Sequence, residues 1–417
     1  MNRTKELARR RVAVVCHYFP HYRTATLLNL ANSTEHEFLF LADTVDPNRA
    51  GIKPSPIVDH PKFRKLRAIR LGKFFLQPGL LGWALSKQID TVLIVAVPHG
   101  LTYWIAPILA RLSGKRVIFW TIGWIQDDRG PKNWLRMTFY SLANSLLIYG
   151  HFGKILGIQR GIPAKRMHVV YNALDYHSQK QFRQRVTPEQ ISETRIGLFR
   201  DSNLPILVCC SRLLPHRQLE LAVAALGVLK RRGVHINLLL IGDGPERAKL
   251  ESLVAQNQIE AHFFGACYDE AILSRLIMSS DLTVAPGMVG LTAMQSLAYG
   301  TPVLTHNDPF HQAPESDCLE PGITGQFFEY GNVEDLANKI DDWFACQPDR
   351  EVVRNSCESI IEKFYNPEYQ ARVIERAVSG IDADDLFMLK ESLVDGDRDP
   401  QNEDPLFESM QRQTVND

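Results

Sequence analysis

The chain repeats one pattern twice: short apolar runs typical of β-strands alternate with helical patterns, give way to a polar stretch, and then start again. In the first series the strand-like runs are residues 12–15, 37–41, 92–97, 117–120 and 168–170, and the helical patterns are residues 24–31, 103–112 and 134–147. In the second series the strand-like runs are residues 206–210, 236–241, 261–264, 282–285 and 302–305. Such alternation predicts an α/β fold in which helices cover both faces of parallel sheets.

The length of 417 residues argues for two domains, because single hydrophobic cores seldom grow beyond about 250 residues. Apolar residues make up 45% of the chain, which is enough for two cores. The predicted units are a first domain at 1–172, a linker at 173–204, a second domain at 205–365, a helix at 366–378 and a tail at 379–417. The tail is acidic and poor in apolar side chains, which predicts disorder.

Charge and cysteine content narrow the functional classes. Basic and acidic side chains balance at 47 each, so no overall positive field recruits nucleic acid. The seven cysteines form no C-x-x-C pair, which argues against a disulfide framework and against zinc. The first residues lack the long apolar stretch and cleavage site of a signal peptide. These features predict a cytoplasmic protein without a metal.

Residues 91–110 contain no Asp, Glu, Lys or Arg, and a run of this length could span a bilayer. Pro98, His99 and Gly100 interrupt the run. The part before them is rich in valine, and the part after them follows a helical pattern. The predicted structure is therefore a buried strand, a turn and a helix.

Residues 281–305 combine an apolar strand, a glycine turn, a helix that ends at Gly300 and a second apolar strand. The turn at Gly290 would aim free backbone N–H groups and the positive end of the helix at one point, where a phosphate group binds well. Units of this kind are also common structural elements in doubly wound folds, so the motif alone leaves a purely structural role open.

Four motifs in a fixed order make the chain resemble the retaining glycosyltransferases of family 4, which have the two-domain GT-B fold. They are a basic pair at Arg212 and Arg217, a Gly-Asp-Gly-Pro-Glu turn from Gly242, a loop near Phe263 to Gly265, and the helix at Gly290 and Leu291. The resemblance runs from about Arg11 to about Val378 and is stronger after Met167. It implies two Rossmann-like domains with parallel sheets facing across a cleft, and a last helix that crosses back to the first domain.

The resemblance also implies that the second domain binds a nucleotide diphosphate sugar. Arg212 and Arg217 would be the catalytic cations that neutralise the leaving diphosphate, although surface arginines at a strand end are the structural alternative. The expected donor-binding residues are Gly242, Met288, Val289, Gly290, Leu291, Thr292 and Gln295. No metal and no cofactor is required, because the leaving phosphate itself can deprotonate the acceptor.

The chain departs from the family at its pair of glutamates, which are separated by seven residues. Gln295 stands at the second position, where an amide can still hydrogen-bond ribose hydroxyls. Gly287 stands near the first position, so no side chain replaces the glutamate that usually contacts the sugar. This departure leaves the donor sugar open and permits a non-catalytic relative.

The acceptor-side candidates lie in the first half of the chain. His17 and Arg23 belong to a loop that resembles the Pro-His-Tyr-Arg loop of bacterial polysaccharide transferases. His99 follows another strand-like run, with turn capping as its structural alternative. Trp124 lies close to Ile122, which stands where many relatives carry a histidine.

Residues 61–75 hold six basic side chains and no acid. As a helix, the part at 62–75 would place a basic stripe on a membrane surface near a lipid-linked acceptor. As a strand over residues 66–71 it would carry a solvated basic face. Both interpretations stay open at this point.

The sequence as a whole predicts a retaining glycosyltransferase that acts on a glycan or lipid-linked acceptor in cell-envelope polysaccharide synthesis. The expected enzyme class is hexosyltransferase. We expect it in the cytoplasm, peripheral to the inner face of the membrane. A non-catalytic partner subunit is the first alternative, and a nucleotide-sugar epimerase is a weaker one because no carboxylate pair can be placed in the cleft. Asp395 and Asp397 resemble a metal-binding D-x-D pair, but a solvated tail explains them better.

Overall fold

The structure is a computed structural model, and it describes residues 8–46, 53–124, 130–346 and 349–383. The predicted acidic tail lies almost wholly outside these residues. The pair formed by Asp395 and Asp397 also lies outside them.

The first half of the described chain builds a parallel sheet with helices on its faces. The strands are β1 (Arg11–Tyr18), β2 (Glu37–Asp43), β3 (Phe63–Lys65), β4 (Ile69–Leu71), β5 (Phe74–Leu76), β6 (Thr91–Val95), β7 (Arg116–Trp120), β8 (Ser145–Ile148) and β9 (Met167–Val169). The helices are α1 (Thr24–Ala31), α2 (Gly79–Leu85), α3 (Thr102–Leu112), α4 (Gly130–Ser141) and α5 (His151–Gln159). The spatial order of the sheet is β3-β2-β1-β6-β7-β8-β9, while β4 and β5 form a separate antiparallel hairpin.

The second half builds another parallel sheet. Its strands are β10 (Ile206–Cys210), β11 (Asn237–Ile241), β12 (Ala261–Gly265), β13 (Leu282–Ala285), β14 (Val303–His306) and β15 (Gly325–Phe328). The helices are α6 (Tyr176–Arg185), α7 (Pro188–Leu198), α8 (Leu219–Arg231), α9 (Arg247–Gln256), α10 (Glu270–Met278), α11 (Leu291–Ala298), α12 (Val333–Ala345), α13 (Arg350–Phe364) and α14 (Pro367–Ser379). The spatial order of this sheet is β12-β11-β10-β13-β14-β15.

In both sheets the strand order reverses beside the first strand. β1 pairs with β2 on one side and with β6 on the other, and β10 pairs with β11 and with β13. All of these pairs are parallel, so the carboxyl ends of the paired strands meet at one edge of each sheet. Open α/β sheets bind ligands in the crevice at such a reversal point.

The apolar segment at residues 91–110 folds as predicted into strand β6, a turn and helix α3. Val92, Leu93 and Ile94 are buried on both faces of the strand, as expected for the interior of a parallel sheet. Within the described ranges, no helix combines the length and the apolar character needed to cross a membrane.

The basic segment at residues 61–75 contains strands and no helix, so the helical interpretation is wrong and the strand interpretation is correct in part. It begins with β3 at the edge of the first sheet and continues into the β4–β5 hairpin. Leu66 is buried between these strands, whereas Arg64, Lys65 and Arg67 are exposed. The pairing of β3 with β2 and of β4 with β5, and not a period in burial, identifies these strands.

The helix predicted at residues 134–147 is longer than the helix in the structure. α4 ends at Ser141, and Ser145 to Ile148 form the wholly buried strand β8. A short apolar run after a helix fits either structure by its periodicity. Here the pairing of β8 with β7 and with β9 decides in favour of a strand.

The last described helix, α14, packs on the first sheet and not on the second. Ala371, Ile374, Ala377 and Val378 are buried in the same hydrophobic cluster as residues of β1 and α1. The amide of Gln370 accepts a hydrogen bond from Thr26 Oγ1 at 2.7 Å. The chain therefore returns to its first sheet after completing the second.

Candidate functional site

A turn after β11 holds the loop that follows β10. Gly242 has φ of 146°, and a Cβ atom there would lie 1.9 Å from the carbonyl oxygen of Ser211. A Cβ atom at Gly244 would lie 2.3 Å from the carbonyl oxygen of Leu213. The Leu213 N–H donates to the Asp243 carbonyl at 3.1 Å. The two glycines therefore let the two backbones pack directly together, which positions the loop carrying Arg212.

Arg217 ends a short 3-10 helix, Pro215–Arg217, and its side chain reaches the glycine turn before α11. Its Nη1 donates to the carbonyl oxygen of Met288, and its carbonyl oxygen accepts from Gly287 N at 3.0 Å. A Cβ atom at Gly287 would lie 2.4 Å from the carbonyl oxygen of His216. Only glycine allows this close approach, so Arg217 and the turn form one rigid unit.

The two arginines have different surroundings. Burial lowers the pKa of Arg217, and the nearby charge of Glu315 opposes that shift. Arg217 Nε is buried without a hydrogen-bond partner among the described residues. Arg212 is exposed, and its guanidinium makes no hydrogen bond or ion pair with any described residue. Both cations keep donors available to an anion at the carboxyl edge of β10.

The turn into α11 has the geometry that an anion needs. Gly290 has φ of 57° and precedes the helix, a conformation that favours glycine. The N–H groups of Gly290, Leu291 and Thr292 donate to no other described residue. The positive end of the helix is therefore available to an anion. Arg217 lies beside it, because a Cβ atom built on Gly290 would be 3.7 Å from Arg217 Nη1.

Two side chains hold this turn in place. Thr292 Oγ1 donates to the carbonyl oxygen of Cys210 at 2.9 Å, which ties α11 to the end of β10. The amide oxygen of Gln312 accepts from Val289 N at 2.7 Å, and its amide nitrogen donates to Thr305 Oγ1 at 2.9 Å. Sequence reasoning missed Gln312, because a single glutamine in a loop gives no local signal of burial.

Gln295 lies on the same face of α11 as Leu291 and Thr292, because residues three or four apart share a helix face. It is half-buried, whereas Ala293 and Met294 on the opposite face are buried. The Gln295 amide makes no hydrogen bond with any residue that the structure describes. It is thus available to a ligand beside the turn.

The described part of the chain has a small cavity at this carboxyl edge, between β10 and β13. Its lining residues are Cys210, Ser211, Arg217, Leu219, Val284, Ala285, Gly287, Met288, Val289 and Thr292. Another cavity opens near the start of β11 and is lined in part by Lys230, His235 and Asn237. We place the site at the first cavity, because ligands of open α/β sheets bind at the carboxyl ends of the strands.

The structure brings His17 and Arg23 to the carboxyl edge of the first sheet. The Arg23 guanidinium stacks on the Trp120 ring, with Cζ 4.5 Å from the ring centroid, and its Nη2 donates to the Tyr149 hydroxyl. The His17 ring lies 5.2 Å from the Phe75 ring, measured between centroids. Both candidates therefore lie at the reversal point of the sheet.

The other two acceptor-side candidates have different surroundings. His99 is exposed, and its carbonyl oxygen accepts from Phe75 N at 3.1 Å. Trp124 is 0% exposed, and its ring packs against Tyr140 at a centroid distance of 4.9 Å. Trp124 is therefore a buried residue in this structure, and its place among the acceptor-side candidates stays a prediction.

A segment of the second half, Pro314–Cys318, contacts the first half of the chain. Glu315 Oε1 accepts from Asn172 Nδ2 at 2.8 Å, and Asp317 Oδ2 accepts from His151 N at 2.7 Å. Burial raises the pKa of Glu315. The same Glu315 acts electrostatically on Arg217, so this contact couples the two halves beside the candidate site.

Groups of three or more His, Cys, Asp or Glu side chains placed to hold a metal ion do not occur within the described ranges. The positive charge near the turn comes from arginines and from backbone N–H groups.

Similarity to known proteins agrees with this geometry. Residues 190–362 match the sequence model of the family described as Glycosyl transferases group 1, so the second half of the chain contains a domain of that family. A GDP-mannose-dependent alpha-(1-6)-phosphatidylinositol dimannoside mannosyltransferase of Mycobacterium tuberculosis is 36% identical over 102 residues, which are 24% of this chain and 26% of that protein. The match therefore spans about a quarter of the relative's length.

Solved structures show the fold over most of the chain. Anabaena Alr3699/HepE in complex with UDP has a TM-score of 0.67 at 15% identity, covering 89% of this chain and 100% of that one. The apo form of the lipopolysaccharide outer core galactosyltransferase WaaB has a TM-score of 0.65 at 15% identity, covering 89% and 99%. The predicted fold class is confirmed: the chain has the α/β GT-B fold, with two Rossmann-like domains whose parallel sheets face across a cleft.

Proposed function

We propose, from the premise that residues 190–362 form a Glycosyl transferases group 1 domain, that this protein is a retaining glycosyltransferase of the family-4 type. It moves a hexosyl group from a nucleotide diphosphate sugar to a glycan or lipid-linked acceptor. The observation that carries the proposal is the contact between Arg217 and the glycine turn at the start of α11. Acceptor binding belongs to residues 1–172 and donor binding to residues 205–365, joined by a linker at 173–204.

The names of similar proteins support the donor and acceptor classes. The mycobacterial relative is named as GDP-mannose-dependent and as acting on a phosphatidylinositol dimannoside. The Anabaena protein was crystallised with UDP and with UDP-glucose. A nucleotide diphosphate is common to these names. A role in cell-envelope polysaccharide synthesis, at the inner face of the membrane, fits the lipid and lipopolysaccharide acceptors that the names contain.

In the proposed mechanism the donor diphosphate lies between Arg212, Arg217 and the N–H groups from Gly290 to Thr292. Negative charge grows on the leaving diphosphate as the bond to the sugar breaks. Donors that are already oriented stabilise this charge without reorganisation, which is the largest electrostatic contribution in many enzymes. The leaving phosphate then accepts the proton of the acceptor hydroxyl on the same face of the sugar, so the anomeric configuration is retained.

A non-catalytic partner subunit with the same fold is the second candidate, and one observation favours it. The first family glutamate has no counterpart, because Gly287 contacts the backbone of His216 too closely to carry a side chain. Gln295 lacks the charge of the second glutamate. Such a protein would keep the fold and bind donor weakly or not at all.

A donor screen separates the two candidates. The purified chain is tested by thermal unfolding against a panel of nucleotide sugars, since a ligand at 100 times its Kd stabilises the folded state by about 2.7 kcal/mol. Donors that stabilise the protein are then tested for hydrolysis and for transfer, and the product anomer is determined by NMR. An α-linked donor should yield an α-linked product. Inversion would refute the retaining mechanism, and the absence of donor binding across the panel would favour the partner subunit.

We also propose a peripheral membrane contact through residues 62–75 together with helix α3. Leu101, which immediately precedes α3, and Ile105, Ile108 and Leu112 within α3 recur at helical spacing, and all four are exposed. The β4–β5 hairpin beside the start of this helix adds exposed Ile69, Leu71 and Phe74. The exposed cations are Arg70 and Lys73 in the hairpin and Arg67 just before it. Apolar side chains flanked by cations suit a bilayer surface that contains anionic lipids.

Vesicle co-sedimentation tests this contact. The chain should bind vesicles of phosphatidylglycerol and phosphatidylcholine more tightly than vesicles of phosphatidylcholine alone, and added salt should weaken the binding. The double variant Ile108→Asp/Leu112→Asp should bind at least fivefold less tightly, on the order expected for losing two partly inserted side chains. The control Ile196→Asp changes an exposed isoleucine of α7. Equal binding by all three proteins would place the membrane contact elsewhere.

A further inference from the structure

The Arg23 guanidinium occupies an unusual place at the carboxyl edge of the first sheet. Arg23 follows β1 in the chain. Its side chain extends to the ring of Trp120 at the end of β7 and to the ring of Tyr149 just after β8. The guanidinium carbon lies 4.5 Å from the Trp120 ring centroid, and Nη2 donates to the Tyr149 hydroxyl. The Trp120 ring and the ring and hydroxyl of Tyr149 therefore contact this cation, where an acidic side chain would be the usual partner.

The charge of Arg23 lacks an acidic partner among the described residues. The groups whose ionised forms act on it are Tyr149, Tyr22 and Cys16, and none of them is a carboxylate. Burial raises the pKa of Tyr149 to about 12, so this hydroxyl is neutral at physiological pH. A buried cation without an opposite charge is costly. A negatively charged ligand would supply the missing charge.

Several side-chain nitrogens at this edge of the sheet lack hydrogen-bond partners. Arg23 Nη1 and Trp120 Nε1 are both buried and have no hydrogen-bond partner in the described part of the chain. The same holds for His17 Nδ1, which lies at the end of β1. A donor that is buried without a partner costs about 1–3 kcal/mol. Arg and Trp side chains offer donors only, so the complementary ligand is one rich in acceptor oxygens.

We propose that Arg23 anchors a binding site for a phosphate group carried by the acceptor. A phosphate brings negative charge and several acceptor oxygens, and a guanidinium binds it with two parallel hydrogen bonds. The donor diphosphate already has its own cations, Arg212 and Arg217, on the second sheet. This inference rests on the proposed function, and it specifies the acceptor as a phosphate-bearing glycan or glycolipid.

Inorganic phosphate serves as the first probe, with the donor cations removed. In an Arg212→Gln/Arg217→Gln protein, phosphate should still raise the unfolding temperature relative to chloride at equal ionic strength. Adding Arg23→Gln should weaken phosphate binding at least tenfold, or about 1.4 kcal/mol. Adding Arg372→Gln instead is the matched control, because Arg372 is exposed and lies over the Tyr369 ring at 5.8 Å. No phosphate effect, or one insensitive to Arg23, would overturn the site.

A second variant covers the case in which Arg23→Gln fails to fold. Arg23→Lys keeps a cation above the aromatic rings but loses the paired donors of the guanidinium. It should fold and bind phosphate on the order of threefold to tenfold more weakly than the parent. Affinity equal to that of the parent would contradict a site built around the guanidinium.

Nucleotide binding identifies the source of the phosphate. The single variant Arg23→Gln should bind UDP and GDP within about twofold of the native chain, while its transfer to a phosphate-bearing acceptor falls more than its transfer to a phosphate-free fragment. A tenfold loss of nucleotide affinity would assign the phosphate to the donor and overturn the acceptor assignment. If the native chain transfers no sugar at all, the proposed function fails, and the inorganic phosphate experiment still decides whether the anion site exists.

Discussion

At the scale of single residues, the candidate donor site depends on three close approaches of backbone to backbone. Gly242, Gly244 and Gly287 each face a carbonyl oxygen at a distance that excludes a Cβ atom. The glycines are therefore needed for packing, and through that packing they position Arg212 and Arg217. The chemistry that we assign to the arginines follows from a backbone that only glycine can form.

Replacing either arginine by alanine should weaken the binding of a nucleoside diphosphate by about 1.5–3 kcal/mol, because each change removes a charge-assisted hydrogen bond. Affinity for the nucleoside alone should change little. Isothermal titration calorimetry measures both. Arg232→Ala is the control, since Arg232 forms an exposed ion pair with Glu334 at the far end of α8. Unchanged diphosphate affinity in both Arg212→Ala and Arg217→Ala would remove this basic pair from the site.

Gln295 distinguishes an active transferase from a non-catalytic relative. In an active enzyme Gln295→Ala should cost about 1–2 kcal/mol of donor binding, because the amide loses its hydrogen bonds to the ribose. Gln295→Glu should keep much of the affinity, since a carboxylate accepts the same hydrogen bonds. Donor affinity and single-turnover transfer are measured for the native chain and both variants. Three inactive proteins with indistinguishable affinities would favour the partner subunit.

At the scale of elements, helix α14 joins the end of the described chain to the first sheet. Its buried face contains Ala371, Ile374, Ala377 and Val378, which pack with α1 and β1. The spacing of these residues places them on one side of a helix. The first hydrophobic core is therefore incomplete without a helix that follows the second sheet in sequence.

Truncating Ile374 tests this dependence. Ile374→Ala should lower the free energy of unfolding by about 2–5 kcal/mol, because it leaves a cavity in a packed core. Ile374 is 0% exposed, whereas Ile196 on α7 is 65% exposed, so Ile196→Ala should change stability by no more than about 0.5 kcal/mol. Urea unfolding followed by circular dichroism gives both values. A small effect of Ile374→Ala would show that α14 contributes little to the first core.

At the scale of the whole molecule, the two halves meet beside the donor site through polar contacts and one contact between aromatic rings. Glu315 and Asp317 accept hydrogen bonds from Asn172 and from the backbone of His151, and the rings of Phe152 and Phe310 lie 5.1 Å apart. Glu315 also interacts with Arg217. A change in the relative position of the halves therefore alters the charge felt by a donor cation.

The buried carboxyl of Glu315 should make this contact sensitive to pH. Burial raises its pKa above the ordinary 4.5, so the folded state holds the proton more tightly than the unfolded chain. Its contribution to stability is therefore greatest in acid and declines as the pH rises from 4.5 through the raised value. Glu315→Gln removes the titrating group, so the stability of this variant relative to the native chain should increase across the same range.

Urea unfolding at a series of pH values from acid to neutral checks this sign. Glu193→Gln is the control, because Glu193 is an exposed residue of α7. The stability of Glu193→Gln relative to the native chain is measured at the same pH values for comparison. A constant difference for Glu315→Gln would contradict the raised pKa and the buried contact that causes it.

Much of the fold could be predicted from local pattern. Continuous apolar runs such as residues 92–97 and 206–210 identify strands buried on both faces, because a parallel sheet covered by helices exposes neither face. The errors occurred where local pattern is ambiguous. The run that forms β8 follows a helix without a clear break, and pairing with β7 and β9 decided its structure. The basic segment at residues 61–75 fitted a helix or a strand, and the pairing of β3 with β2 and of β4 with β5 decided it.

The sequence by itself determined the two parallel sheets and the glycine turn at Gly290. Both depend on local sequence, because apolar runs identify buried strands and glycine readily adopts a positive φ. Only the tertiary structure decided which side chains meet. Arg23 and Tyr149 are 126 residues apart, and Asn172 and Glu315 are 143 residues apart. Their contacts depend on the order of the strands in the sheets and on the packing of the two halves. Trp124 is buried for the same reason, since nothing in its own segment specifies that Tyr140 will cover it.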